Sequence, residues 1–138
     1  MNIVVLERNS VGTDIPVDYS DLGEVTYYEN TVTAEEVAER VKDADIIVTN
    51  KAPINEVSLK DAPNVKLVCV FATGYDTIDI AYCKSRGIPV CNVVDYSTCA
   101  CFIRFSTVCA SSVPLPTKRF LSSLALGGVI KINKASLY

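Results

Sequence analysis

Short, continuous apolar runs recur along the first 98 residues, each about the length of a β-strand. They are NIVVL (2–6), EVTYYE (24–29), DIIVTN (45–50), VKLVCVFA (65–72) and IPVCNV (88–93). Runs that are apolar on both faces are typical of strands in a parallel sheet that is covered by helices. The pattern therefore predicts five strands of an α/β domain.

Helical patterns fill the gaps between these runs. Thr33 is followed three residues later by Glu36, which is the signature of a capping box. The apolar spacing after Thr33 predicts a helix over about residues 33–42. Residues 54–59 predict a short helical turn, which the breaker Asp61-Ala62-Pro63 ends.

A third helix is expected between the last two strands, capped by Thr77 and ended by a left-handed turn at Gly87. Alternating strands and helices with short connections imply right-handed crossovers and parallel strands. The predicted fold class is α/β: a flavodoxin-like parallel five-stranded sheet with helices on both faces. An irregular or partly helical C-terminal tail is expected to follow it.

Two loops at the carboxyl ends of predicted strands contain candidate chemistry. Thr73-Gly74-Tyr75-Asp76 follows the most apolar strand, and a glycine there lets the chain turn with successive N–H groups pointing outward. Such a nest binds a carboxylate or a phosphate. Lys51 follows the neighbouring strand and would add positive charge at the same rim. The plain alternatives are a turn glycine and a solvated surface lysine.

Charge divides the chain near Thr98. Residues 1–98 hold eight basic and all 16 acidic residues, a net charge of −8, whereas residues 99–138 hold five basic residues and no acid. The acidic front argues against nucleic acid as a partner, because phosphate binding needs clustered Lys and Arg. No apolar run reaches the roughly 18 residues of a membrane span. The boundary near Thr98 therefore marks a change in amino-acid composition.

The cysteines and the absence of histidine narrow the chemistry further. Cys69 and Cys91 lie inside apolar runs, where cysteine behaves as a small core residue. Without a signal-peptide pattern at the N-terminus, we expect a cytoplasmic protein with reduced thiols. The spacing of Cys99 and Cys101 does not fit a zinc knuckle, so no metal site is predicted. With no histidine in 138 residues, serine–histidine and cysteine–histidine catalysis are excluded within this chain.

Several motifs in order carry a family resemblance. TNKAPI, NVKLVCVFATGYDTIDI and CKSRGIPVCNVVDYST together resemble the D-isomer-specific 2-hydroxyacid dehydrogenases, most closely the glycerate dehydrogenase and hydroxypyruvate reductase branch. The resemblance covers about residues 1–98. It implies that residues 1–98 are the N-terminal portion of a substrate (catalytic) domain.

The resemblance also implies site residues and partners. Backbone amides of the loop matching Thr73 and Gly74 would hold the carboxylate of a small 2-keto or 2-hydroxy acid. A residue matching Thr98 would lie near the nicotinamide of NAD(H) or NADP(H), which a separate Rossmann domain binds. The histidine, arginine and glutamate that the family uses for catalysis have no matching position here. No catalytic residue is therefore assigned, and the chain is expected to be an inactive portion of such an enzyme.

The resemblance stops at Thr98. Residues 99–138 form a non-family tail, and Leu126-Gly127-Gly128-Val129 is a glycine pair rather than a dinucleotide-binding fingerprint. We favour a tail that is frameshifted near codon 99 or mis-spliced, with a genuine divergent tail, or some other truncation or fusion, as alternatives. Without the family's returning C-terminal helix, an exposed apolar flank would permit self-association.

A second class of function fits the same fold class. A small flavodoxin-like binding or receiver-type module would work without redox chemistry. A receiver needs an aspartate at the end of the third strand, where this chain has Asn50 and Lys51. The sequence therefore favours the dehydrogenase interpretation but does not choose among 2-hydroxy acids.

Overall fold

The structure is a computed structural model that describes residues 1–11, 19–96, 103–107 and 130–132. Thr98, Cys99 and Cys101 lie outside these residues, so the predictions made for them stay predictions.

Seven strands of the described residues form one sheet. They are β1 (Asn2–Val5), β2 (Glu24–Tyr27), β3 (Ile46–Thr49), β4 (Leu67–Val70), β5 (Val90–Tyr96), β6 (Ile103–Thr107) and β7 (Ile130–Ile132). Their order across the sheet is β2-β1-β3-β4-β5-β6-β7. The first five strands are parallel to their neighbours in this order. The predicted parallel five-stranded sheet is confirmed, and its order is that of the flavodoxin-like doubly wound folds.

The described part of the tail differs from the expected irregular or partly helical structure. β6 runs antiparallel to β5, and β7 runs parallel to β6. The sequence of β6, IRFST, is rich in β-branched and aromatic residues that suit a pleated strand. Both described tail segments are therefore strands, and the remaining tail positions lie outside the described residues.

Within the described residues, three α-helices connect the parallel strands: α1 (Ala34–Arg40), α2 (Glu56–Leu59) and α3 (Ile80–Ser85). The predicted capping box of α1 is present. The Glu36 amide donates to Thr33 Oγ1 at 3.2 Å, and the Thr33 amide donates to Glu36 Oε2 at 3.3 Å. Hydrogen bonds from the amides of Val32 and Thr33 lower the pKa of Glu36.

Helix α3 begins later than the sequence predicts. Its N-cap is Asp79, whose Oδ1 accepts from the Tyr82 amide at 2.9 Å, rather than Thr77. The reason is that Ile78 is held extended in an isolated parallel bridge with Ile54. At its other end the helix closes as predicted, because Gly87 adopts a φ of +68°.

Two apolar clusters fill the two faces of the sheet. The first contains Val68 and Val70, both fully buried, and receives side chains from all three α-helices. The second contains Ile3 and Cys69 and is joined by Leu22 from a 3₁₀-helix, Ser20–Leu22. Within the described residues, all three α-helices therefore pack on one face of the sheet, and a 3₁₀-helix contributes Leu22 to the other. Burial raises the pKa of Cys69 well above its ordinary value, so this thiol is an un-ionised core residue, as predicted.

Candidate functional site

Two loops meet at the carboxyl edge of the sheet. The lysine loop (residues 50–55) follows β3, and the glycine loop (residues 71–79) follows β4. Because Thr49 pairs with Val70 in register, both loops leave the sheet at the same level. The carboxyl ends of parallel strands are where open α/β sheets bind ligands.

A pair of hydrogen bonds ties the two loops together beyond the ends of their strands. The Ile54 amide donates to the Thr77 carbonyl at 3.0 Å, and the Asp79 amide donates to the Ile54 carbonyl at 2.7 Å. Ile54 is fully buried and Ile78 is 6% exposed, so the bridge is also an apolar contact in the core. The loops that contain Lys51 and Gly74 are therefore one connected unit.

The outer part of the glycine loop is open to solvent. Residues 73–77 are all exposed, and none of their five amides donates to an acceptor within the described part of the chain. The loop turns without placing Gly74 in the left-handed region, since the positive-φ glycines described are Gly23 and Gly87. The outward direction of these amides stays a prediction, and the turn does not depend on a left-handed glycine at position 74.

Asp76 adds a negative charge next to this turn. A Cβ atom built on Gly74 would lie 3.3 Å from Asp76 Oδ2. The close approach of this carboxylate, rather than a positive φ, is the local feature that a side chain at position 74 would meet. An anion bound to the loop amides would experience repulsion from Asp76, which Lys51 would have to offset.

Asn92 in β5 contacts the glycine loop through a side-chain hydrogen bond. Its Nδ2 donates to the Thr73 carbonyl at 2.7 Å, and the side chain is buried at 6% exposure. Its Oδ1 is buried and has no hydrogen-bond partner in the described structure. Sequence reasoning missed this residue. The available signal was an amide inside the otherwise apolar run IPVCNVV, where a buried polar group needs a specific partner.

Glu7 organises the lysine loop, and sequence reasoning missed this role as well. It lies two residues beyond the end of β1 and is buried at 5% exposure. Its Oε2 accepts from Thr49 Oγ1 at 3.0 Å and from three successive amides, those of Asn50 at 2.6 Å, Lys51 at 2.8 Å and Ala52 at 3.1 Å. The signal was an acidic residue at the end of a buried strand that neighbours the strand leading into the loop.

The lysine loop therefore contains an anion nest that the chain fills itself. The three amides of residues 50–52 point to one carboxylate oxygen, which is the geometry of a backbone nest around an anion. Lys51 is exposed while its amide is committed to Glu7. Of the predicted site residues, the structure brings Lys51, Thr73 and Gly74 to one edge, and Thr98 lies outside the described residues.

A polar cleft of about 340 Å³ lies elsewhere, beside β2 and α1. Arg40 lines it, but its guanidinium donates to the Asn30 carbonyl at 2.7 Å and stacks over the Tyr28 ring at 4.4 Å. Because this guanidinium already has partners within the fold, the cleft is a weaker candidate for a ligand site than the loop edge.

Within the described ranges, no group of three or more His, Cys, Asp or Glu is placed to hold a metal ion. No helix in those ranges is long and apolar enough to cross a membrane.

Comparison with known proteins agrees with this architecture. The family model described as D-isomer specific 2-hydroxyacid dehydrogenase, catalytic domain, matches residues 3–101. The hydroxypyruvate reductase of Blautia hydrogenotrophica is 43% identical over 79 residues, which cover 56% of this chain and 24% of that protein. The glycerate dehydrogenase of Methylorubrum extorquens is 38% identical over 95 residues, covering 69% of this chain and 30% of that protein.

Among solved structures, the NAD⁺-bound 3-phosphoglycerate dehydrogenase of Entamoeba histolytica matches with a TM-score of 0.53 and 31% identity. The match covers 67% of this chain and 32% of that one. The sheet order and the loop edge define an α/β domain of the doubly wound class. The chain belongs to the D-isomer-specific 2-hydroxyacid dehydrogenase family, and it spans less than a third of the length of these relatives.

Proposed function

We propose that this chain supplies the carboxylate-binding part of the substrate domain of a D-2-hydroxyacid dehydrogenase. Thr73 and Gly74 of the glycine loop would receive the carboxylate of a small 2-keto or 2-hydroxy acid on their amides. Lys51 would add a compensating positive charge. The observation that carries the proposal is the row of exposed amides without acceptors, tied to the loop of Lys51, in a chain of this family.

The electrostatics of this edge indicate weak binding. Lys51 favours an anion, whereas Asp76 beside Gly74 opposes it. The edge is also open to water, which screens both charges. A Kd in the millimolar range follows, equivalent to about −4 kcal/mol of binding free energy.

The described residues do not fit a nicotinamide dinucleotide. A pyrophosphate is bound by a glycine-rich turn that leads into a helix. The lysine-loop amides of residues 50–52 are taken by Glu7, and the glycine loop has a single glycine. We therefore assign NAD(H) or NADP(H) to a Rossmann domain that the described residues do not supply, and we derive no step through it. Thr98 remains a candidate for a cofactor contact on the family resemblance.

We expect no turnover from the 138-residue chain alone. Proton transfer to and from the 2-oxygen needs a general acid/base, and the chain has no histidine for the family's usual group. Purified chain should not oxidise NADH or NADPH in the presence of hydroxypyruvate or glyoxylate. Turnover that copurifies with the chain and survives removal of contaminating dehydrogenases would overturn this expectation.

Binding is testable without the cofactor. Titration of ¹⁵N-labelled chain with oxalate or hydroxypyruvate should move the amide resonances of Gly74 and Tyr75 before others. Lys51→Met should weaken this response several-fold because it removes the nearby charge. The matched control, Lys60→Met at the C-cap of α2, should leave the response unchanged. If the amides of a folded wild-type chain stay unmoved at tens of millimolar ligand, the carboxylate site is refuted.

A receiver-type module is less well supported. Such a module needs acidic side chains at this edge that are free to hold a cation. Glu7, the acidic residue at the end of β1, is instead buried against the lysine loop. The proposed small-acid chemistry involves neither nucleic acid nor a membrane, and we expect it to occur in the cytoplasm.

A further inference from the structure

We propose that Glu7 is a positioning residue that fixes the lysine loop, and with it Lys51, at the edge shared with the glycine loop. The proposal deepens the function proposed above and rests on it where ligand binding is concerned. It also makes a claim about the loop itself, which does not depend on any ligand.

The geometry concentrates four donors on one oxygen. Glu7 Oε2 accepts from the Thr49 hydroxyl and from the amides of Asn50, Lys51 and Ala52, at distances between 2.6 and 3.1 Å. Each of these bonds has an ionised acceptor when Glu7 is charged, and such bonds are roughly twice as strong as neutral ones. The carboxylate therefore determines the path of three consecutive residues.

This path decides which groups of the lysine loop a ligand can reach. Ala52 is buried at 1% exposure, whereas Lys51 is exposed. Because the three amides turn inward to Glu7, the loop offers a ligand the ammonium group of Lys51 and not its backbone. Amide contacts to an anion must then come from the glycine loop.

Glu7 is itself held in place. The Ser10 hydroxyl donates to the Glu7 carbonyl at 2.7 Å, and the Thr31 hydroxyl donates to the Leu6 carbonyl at 2.6 Å. The Leu6 amide pairs with the Val48 carbonyl of the neighbouring strand at 2.9 Å. The carboxylate thus projects from a fixed strand end, which is what a positioning residue requires.

The bridge between Ile54 and Ile78 extends this control to the glycine loop. Ala52 is the last residue held by Glu7, and Ile54 pairs with the glycine loop two residues later. One chain of contacts therefore runs from Glu7 through the lysine loop to the residues that follow Gly74. Release of the carboxylate should alter the placement of Lys51 relative to Gly74.

The first test measures the loop without ligand. In Glu7→Gln, hydrogen exchange of the Lys51 and Ala52 amides should accelerate by about tenfold or more, because a neutral acceptor replaces the carboxylate. The Val68 and Val70 amides should keep their protection. The matched control is Glu29→Gln, an exposed glutamate whose side chain forms no hydrogen bond within the described part of the chain.

A more conservative variant keeps the test valid if Glu7→Gln does not fold. Glu7→Asp keeps the charge but withdraws the carboxylate by one methylene, so it should also accelerate exchange at Lys51 and Ala52. If either variant stays folded with wild-type exchange at these two amides, Glu7 does not fix the loop and the proposal is wrong.

The second test asks whether Glu7 acts through Lys51. Oxalate affinity is measured for wild type, Glu7→Gln, Lys51→Met and the double variant. A positioning role predicts that the double variant binds no more weakly than Lys51→Met, because the two changes remove the same contribution. Independent, multiplying losses would contradict it. If wild type does not bind oxalate at all, the proposed function fails, and the exchange measurement alone then decides whether Glu7 positions the loop.

Discussion

The lysine loop and the glycine loop leave the same edge of the sheet but differ in whether their backbone amides are hydrogen-bonded. The lysine loop directs three successive amides inward to the Glu7 carboxylate. The glycine loop leaves the amides of residues 73–77 without an acceptor in the described structure. The lysine loop already contains its anion, and we propose that the glycine loop receives one from a ligand. On this proposal the first loop sets geometry and the second binds.

Burial follows the same division. Ala52 and Ile54 of the lysine loop are at most 1% exposed, whereas residues 73–77 of the glycine loop are all exposed. Substitutions at these two buried positions of the lysine loop should therefore change the free energy of unfolding, and those in the outer glycine loop should mainly change binding. Measurements of stability and of binding on the same variants test this division of roles between the two loops.

Removal of the bridge side chain should have the largest effect. Ile54→Ala deletes a fully buried side chain that joins both loops to the core, and such truncations cost about 3 kcal/mol of unfolding free energy. Urea unfolding followed by circular dichroism measures it. Val57→Ala, at a 46% exposed position in α2, is the control and should change stability by less than about 0.5 kcal/mol. Equal losses from the two variants would show that the bridge is not a stabilising element.

The next effect compares Thr49, the last residue of β3, with Thr73 in the glycine loop. Thr49→Val removes one donor to Glu7 from a buried site and should cost about 1.5 kcal/mol, the lower end for a hydrogen bond to a charged group. Thr73→Val changes an exposed side chain that forms no hydrogen bond among the described residues, so the effect should stay within about 0.5 kcal/mol. Chemical denaturation of both variants is the measurement. A larger loss from Thr73→Val would reverse the proposed division.

Local signals in the sequence predicted most of the fold. The five parallel strands, the capping box at Thr33 and the left-handed end of α3 at Gly87 all depend on residues that are close in sequence. The shared edge of the two loops also followed from the parallel order of the strands. These features were predictable because periodicity and caps are read within a few residues.

The features that sequence reasoning missed depend on pairing across the sheet. Glu7 meets Thr49 and the lysine loop 42 to 45 positions away, and Asn92 meets Thr73 at a separation of 19. Asp79 displaced Thr77 as the cap of α3 because Ile78 was drawn into the bridge with Ile54. No local pattern specifies such contacts, because they join residues on different strands and loops. Predicting them requires the order of the strands in the sheet.

The smallest effect should have the opposite sign and concerns Gly74. Because Gly74 does not occupy the left-handed region, alanine can adopt its backbone conformation. The added Cβ would meet only Asp76 Oδ2 at 3.3 Å, the end of a flexible side chain that can turn away. Gly74→Ala should then raise the free energy of unfolding by about 0.5 kcal/mol, because it reduces the conformational entropy of the unfolded chain.

Gly87→Ala is the matched control for this substitution. Gly87 has a φ of +68°, so a side chain there is strained even though nothing lies within 4 Å of its added Cβ. It should lower stability by about 1 kcal/mol. The two glycine variants should therefore move the urea midpoint in opposite directions.

Oxalate titration completes the comparison. Gly74→Ala should weaken the response of the Tyr75 amide despite the greater stability of the variant, because the new methyl group crowds the exposed amides. If Gly74→Ala destabilises the chain as much as Gly87→Ala does, the glycine loop is a constrained turn, and the contrast with the lysine loop fails.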